Sequence, residues 1–237
     1  MPISETYNCD WKYYSKDLPD KFFDIIIADP NYGINAPKMQ MGQNKTRKGK
    51  GQYPSVESTA VRLKGRLNTG SGKLKNRILN KSEIDWDNKP PDPEDFTELF
   101  RISKHQIIWG GNYFQLPPTR CIIAWDKCQP WDNFSQVEIA WTSFDFPAKL
   151  YRISNTGGAN AVKKIHPTEK PIALYDLVYR DFVKEGWKVF DPYLGSGSSR
   201  ISADKFGVDF IACEIGINYF DDQEKRFRIH KMQKKLF

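Results

Sequence analysis

The chain has 237 residues, 39% of them hydrophobic and 14% aromatic, enough for the core of one α/β domain and too apolar for a disordered chain. No apolar stretch approaches the ~20 residues that span a bilayer, and the N-terminus lacks the apolar centre of a signal peptide, so a soluble, cytoplasmic protein without a membrane partner is expected. The net charge of +7 is unevenly placed: residues 36–81 hold twelve Lys and Arg against one acid, Glu57, a local +11 that leaves 7 − 11 = −4 elsewhere, so that one segment suits a polyanion and the body does not.

In chain order, residues 22–28 (FFDIIIA) are a short apolar run of the kind found in parallel sheets covered on both faces, and predict a strand. It ends in Asp29, Pro30, Asn31 and Tyr32 before the turn at Gly33: an acid, a carbonyl and an aromatic ring at a strand tip. From Asn35 to about Ile84 no apolar period is sustained, and a basic, mobile insert is expected at about 36–82. Prolines then introduce a helix over 91–103, and 106–109, 121–125 and 137–141 read as short strands. Residues 142–165 read as irregular. A helix is predicted from Pro171, with Leu174, Leu177, Val178 and Phe182 at helical spacing. A strand at 187–191, a Gly-rich turn, a helix to about Phe206 and a strand at 209–214 then form a mononucleotide-binding βαβ pattern, and an amphipathic, basic-ended helix closes the chain.

The Gly-rich turn carries the first chemistry. Asp191 ends its strand, Gly195 and Gly197 let the backbone turn tightly and approach a ligand, and Ser198 opens a helix whose first N–H groups are free. The third glycine of the dinucleotide fingerprint is replaced by Arg200, which disfavours NAD. Glu214, at the end of the next strand, is placed to accept both hydroxyls of a ribose. The plain alternative is a tight turn and a solvated acid. His105, His166 and His230 have no metal-ligand spacing, and Cys9, Cys121, Cys128 and Cys213 form no close pair in sequence, so no metal is expected.

DPNY after one strand and DPYLGSGSS after another, with HPTEKP just upstream of the second, together resemble the amino-methyltransferases that use S-adenosylmethionine to methylate adenine N6 or cytosine N4 in DNA. The tetrad precedes the glycines, as in the permuted β class of that family, and the likeness covers most of residues 5–40 and 84–232. It implies a Rossmann-like methyltransferase fold in the α/β class, a mixed, mostly parallel sheet with helices on both faces, as a single domain over 1–237. It also implies that Asp10 accepts from the cofactor's adenine amino group with Trp11 beside the ring, and that His166, Thr168 and Lys170 shape the pocket at the methionine end. Without the resemblance, Asp10 is a helix N-cap and His166 a loop residue with a local hydrogen bond. Trp109, Asn112, Tyr113, Trp125 and Asp126, in turns after two further strands, are candidates for lining the base pocket.

The exocyclic amino group of adenine is a poor nucleophile because its lone pair is delocalised. Asp29 and the Pro30 carbonyl can each accept one amino hydrogen and draw the nitrogen toward tetrahedral geometry. Tyr32 is placed to stack on the flipped base. Asn31 stands where the family usually has a second proline, and loosens the backbone there. The expectation is an adenine-N6 DNA methyltransferase acting on DNA, with a homodimer left open. Cytosine N4, RNA, and a catalytically weak nucleic-acid-binding module are the alternatives.

Overall fold

The computed structural model describes residues 2–34, 86–128, 135–155 and 164–234. The basic insert expected at 36–82 therefore lies outside the described residues, apart from which the elements are β1 (Ser4–Tyr7), α1 (Trp11–Ser15), β2 (Phe23–Ala28), α2 (Pro93–Ile102), β3 (Ser103–Trp109), a 3₁₀ turn (Gly111–Tyr113), β4 (Ile122–Asp126), β5 (Val137–Thr142), β6 (Lys149–Arg152), α3 (Ile172–Phe182), β7 (Lys188–Asp191), α4 (Ser198–Phe206), β8 (Asp209–Cys213) and α5 (Ile217–Lys234). The strands form one sheet in the order β1-β8-β7-β2-β3-β5-β4-β6. β5 alone runs against its neighbours β3 and β4; all other pairings are parallel. The mixed, mostly parallel sheet is the one expected.

β2 sits between β7 and β3, and its β-branched run is buried on both sides. Ile25 and Ile27 join one core with Leu174, Val178 and Phe182 of α3, and Ile26 and Ala28 join the other with Phe96, Leu99 and Ile102 of α2. Period-2 alternation thus divides one strand between two cores, which is why its sequence shows a continuous apolar run. Each such aliphatic side chain contributes roughly 1.5–3 kcal/mol on burial.

Local signals set the helix limits. α2 begins with a capping box between Asp92 and Asp95 and has Pro93 in its first turn. α4 runs between two left-handed glycines, Gly197 at φ 73° and Gly207 at φ 70°, and the Gly207 N–H returns to the Ala203 carbonyl. Pro171 is the N-cap of α3, one position before the helix proper. The segment read as irregular contains β6, a four-residue strand held by parallel pairing with β4, with Ala124 opposite Leu150. KLYR carries no extended apolar pattern of its own, so partnership on the sheet rather than local propensity makes it a strand.

Candidate active site

β1, β2, β3, β7 and β8 end on one edge of the sheet, and their C-terminal turns surround a cavity of about 630 Å³. Ligands of open α/β sheets bind in this crevice. Two chemically distinct ends meet there.

One end is built on the turn after β2. The Lys170 ammonium is bonded to Asp29 Oδ1, lies 2.7 Å from Glu138 Oε1 and 3.1 Å from the Tyr32 hydroxyl. That hydroxyl is in turn 2.9 Å from Asp29 Oδ1 and 2.7 Å from Glu138 Oε1. Lys127 closes the row, 2.6 Å from Glu138 Oε2. Burial pushes the Asp29 carboxyl up; Lys170 opposes this, and the negative charge of Glu138 adds to it. Burial acts the same way on Glu138, but Lys170 and Lys127 outweigh it and hold this carboxyl below its usual range. Burial would lower the Lys170 pKa, yet Asp29 and Glu138 raise it, so the ammonium stays charged. Burial, then the two carboxylates, push the Tyr32 phenol well up.

The tetrad is fastened from outside. The Asn31 side-chain amide donates to the Lys89 carbonyl, and the Gly33 N–H donates to Asp87 Oδ1 at 2.8 Å. Asn31 thus ties its turn down at the position where a loosened backbone was expected. Gly110, at φ 72°, backs Tyr32 so closely that an added Cβ would sit 2.3 Å from the ring. On its other contacts the Tyr32 ring stacks on Tyr113, with centroids 4.9 Å apart and planes at 15°. Tyr113, 43% exposed, is the outer ring of the pair, and both rings line the cavity.

The other end is built on the Gly-rich turn and α1. Glu214 receives the Gly195 N–H at 2.8 Å on one oxygen and the Gly216 N–H at 2.7 Å on the other. A carboxylate has about four lone-pair sites, so two remain after these bonds have fixed its plane, the number a vicinal diol needs. Gly195 is at φ 52°, with the His166 ring 3.7 Å from where a Cβ would lie. His166 packs on Tyr219, and burial, reinforced by the Lys170 charge, lowers its pKa to about 3, so the imidazole is neutral at working pH. Its Nδ1 lies 3.2 Å from the Thr168 hydroxyl. Asp10 caps α1 by accepting the Lys12 N–H at 3.0 Å and also lines the cavity beside the buried Trp11. Ser198 lines it too. These donors and acceptors, at a turn without side-chain bulk, fit a cofactor with an adenine, a ribose and a short charged tail.

Some expected residues stand elsewhere. Asp191 and Gly197 are absent from the cavity wall: Asp191 accepts the Tyr193 N–H at 3.1 Å and so shapes the turn, and Gly197 backs onto Gln223. Lys170 lines the cavity and bonds Asp29 at the tetrad end. Of the further candidates, Asn112, Tyr113 and Trp125 line the cavity. Trp109 is fully buried under Lys170, and Asp126 turns back to the Cys128 N–H. Glu138 and Lys127 were not anticipated; the available signal was an acid inside the apolar run 137–141. Glu169 and Arg226 were also missed. Arg226 bonds both Glu169 and the Ser196 carbonyl, locking the 165–170 loop onto the Gly-rich turn.

The buried Asp191 yields a stability prediction. Burial pushes its carboxyl up to about 8, opposed by the Tyr193 N–H. A carboxyl with a raised folded-state pKa contributes fully below its ordinary pKa and loses that contribution as pH rises through the folded value. Asp191→Asn keeps an oxygen for Tyr193 and should flatten the fall of the melting temperature between about pH 4 and 8. A decline as steep as that of the wild type would exclude Asp191 as the titrating group.

Comparison with known proteins bears on the family and the fold. The sequence model of a DNA methylase family matches residues 74–225. The Type II methyltransferase M2.DpnII of Streptococcus pneumoniae is 25% identical over 245 residues, covering 91% of this chain and 86% of the relative. M2.MboI of Moraxella bovis is 22% identical over 64% of this chain and 50% of its own length. Among solved structures, the M1.HpyAVI–SAM complex superposes with a TM-score of 0.51 at 17% identity, covering 94% of this chain and 98% of the other. PvuII DNA methyltransferase, described as cytosine-N4-specific, gives a TM-score of 0.56 at 13% identity over 95% and 87%. These two likenesses establish the fold. Motif order, sheet and family match together make the chain a member of the DNA methylase family, the S-adenosylmethionine-dependent amino-methyltransferases of DNA.

Proposed function

We propose that this chain transfers a methyl group to adenine N6 of a base flipped out of duplex DNA. The observation that carries the reading is Asp29. It is largely buried at the tip of β2, and among the described residues only its Oδ1 has hydrogen-bond partners, which leaves Oδ2 for one amino hydrogen. The Pro30 carbonyl, next along the turn, takes the other. With both hydrogens held, the nitrogen lone pair is drawn out of the ring's conjugation and aimed at the methyl donor. S-adenosylmethionine, when bound, would supply an electrophilic methyl on a sulfonium and leave as neutral S-adenosylhomocysteine, while the methylated nitrogen gives up one of its two hydrogens as a proton, so alignment carries most of the work.

The cofactor end follows from the residues around the Gly-rich turn. Glu214 holds the ribose hydroxyls, Asp10 and Trp11 the adenine, and neutral His166 and Thr168 border the methionine tail without adding positive charge beside the sulfonium. Asp191, Gly197 and Ser198 set the turn and the helix N-terminus. An acid as the first tetrad residue favours adenine over cytosine within the resembled family. Sequencing with base-modification detection on DNA from cells expressing the protein tests this: modified adenine at one recurring motif supports it, and modified cytosine alone counts against it.

Binding to DNA draws on the basic segment. Its +11 charge, in a chain otherwise at −4, suits phosphate contacts that hold without regard to sequence. Replacing Arg62, Lys64 and Arg66 together by Gln should weaken binding to every DNA and lower the slope of log affinity against log salt by roughly one unit per lost contact. Identical slopes for variant and wild type would leave the segment without a role in binding.

A further inference from the structure

Beyond the tetrad, acids and bases alternate along the site in the order Lys127, Glu138, Lys170, Asp29. Glu138 stands on β5, the antiparallel strand, where it pairs with Trp125 of β4. Its side chain is 13% exposed and that of Lys170 is 4%. Each Glu138 oxygen is committed: Oε2 to Lys127 at 2.6 Å, Oε1 to Lys170 and to the Tyr32 hydroxyl, both at 2.7 Å. The same ammonium and the same hydroxyl meet Asp29 at Oδ1.

A hydrogen count shows what this does. Lys170 has three hydrogens, enough for Asp29, Glu138 and the Tyr32 oxygen. Tyr32 has one, and two carboxylate oxygens lie within its reach. The two acids therefore share one phenolic hydrogen and one ammonium. Lysine is a flexible four-carbon chain ending in a point charge, so it does not fix a carboxylate's orientation unless its own position is fixed. Glu138 fixes it, and Lys127 fixes Glu138.

We propose that Glu138 is a positioning residue for methyl transfer: it anchors Lys170 and Tyr32 on Oδ1 of Asp29, which keeps Oδ2 turned toward the amino group, and by competing for the same ammonium it sets the pH at which Asp29 becomes an acceptor. This rests on the reading of Asp29 as the acceptor of an amino hydrogen. The other titratable or charged groups near the row are Tyr175 on α3, Asp191 at the end of β7, and Lys164 and His166 in the loop before α3. Neither Tyr175 nor Asp191 bonds Asp29, so competition between Asp29 and Glu138 for Lys170 dominates the pH response.

The test compares wild type, Glu138→Gln, Glu138→Ala and Asp29→Asn. Single-turnover transfer from methyl-tritiated S-adenosylmethionine to methylation-free bacterial genomic DNA is followed against pH, with cofactor affinity measured by calorimetry. Glu138→Gln keeps an acceptor for Lys170 but removes the competing charge, so the acid limb of its rate profile should move to lower pH. Glu138→Ala should lower the plateau rate by about a hundredfold, the scale on which misplacing a reacting group acts, with cofactor affinity unchanged within about twofold. An acid limb that stays in place or moves upward in Glu138→Gln, or a plateau in Glu138→Ala equal to that of the wild type, overturns the proposal. Asp29→Asn separates the two levels: if it transfers at the wild-type rate, the underlying role of Asp29 falls and takes Glu138 with it. If it is inactive while both Glu138 variants match the wild type in rate and pH profile, only the positioning role is lost.

Discussion

Asp29→Ala should reduce methyl transfer to DNA by roughly 10²–10³-fold or more, the loss seen when one preorganised group facing developing charge is removed. Cofactor affinity and folding should persist. The reason is where the carboxylate acts: it contacts the amino group, whose charge changes as the new bond forms, and it lies at the tetrad end of the cavity, away from Glu214 and the Gly-rich turn. An interaction that strengthens in the transition state lowers the rate constant when lost and leaves ground-state binding nearly intact. Removing Asp29 also frees Lys170 to serve Glu138 alone, so no buried cation is stranded. Calorimetry with S-adenosylmethionine alongside single-turnover transfer checks both halves. Turnover near that of the wild type would show that the chemistry lies elsewhere.

Lys170→Met should be the most destabilising substitution at the site. Among the described residues the ammonium is the one cation bonded to both Asp29 and Glu138, and its loss leaves two buried carboxylates with the shared Tyr32 hydroxyl and, on the far side of Glu138, Lys127 in compensation. Removing one partner of a buried ion pair costs about 3–5 kcal/mol. The pH dependence has a definite sign. With Lys170 gone, burial and mutual repulsion push Asp29 further above its unfolded value. The variant is then least impaired below about pH 4, where both states are protonated, and loses stability as pH rises through the raised folded-state pKa. Chemical denaturation at about pH 5 and pH 8 measures this: the deficit should widen at the higher pH, and equal deficits would mean that Lys170 is not neutralising these acids.

The parts of this molecule that were legible in sequence are those whose causes are local. The run Phe23–Ala28 is apolar on both faces because both faces are buried, and Gly195 and Gly197 mark a turn that needs positive φ, at 52° and 73°. Pro93, in the first turn of α2, marks that helix by the same local logic, whereas the capping box of Asp92 and Asp95 emerges only in the structure. The row around Asp29 was not legible, because its members are distant in sequence: 141 positions separate Asp29 from Lys170, and 106 separate Tyr32 from Glu138. Charge complementarity across such gaps has no periodicity, so the motif points to Lys170 but nothing in the sequence pairs it with Glu138, an acid inside an apolar strand. β6 escaped for a related reason, since its edge position and parallel partner, rather than its four residues, make it a strand. Asp191 looked like a ligand residue because it precedes the glycines, yet burial turns it into a support for the turn.

Nucleoside composition after reaction is the most direct measure of the central claim. Methylation-free DNA is incubated with the protein and S-adenosylmethionine carrying a trideuterated methyl group, digested, and analysed by mass spectrometry. The predicted result is labelled N6-methyldeoxyadenosine with the wild type and, over the same initial interval, about a hundredfold less or lower with Asp29→Ala. Labelled N4-methyldeoxycytidine as the sole product, or equal labelling of adenine by Asp29→Ala, would contradict it.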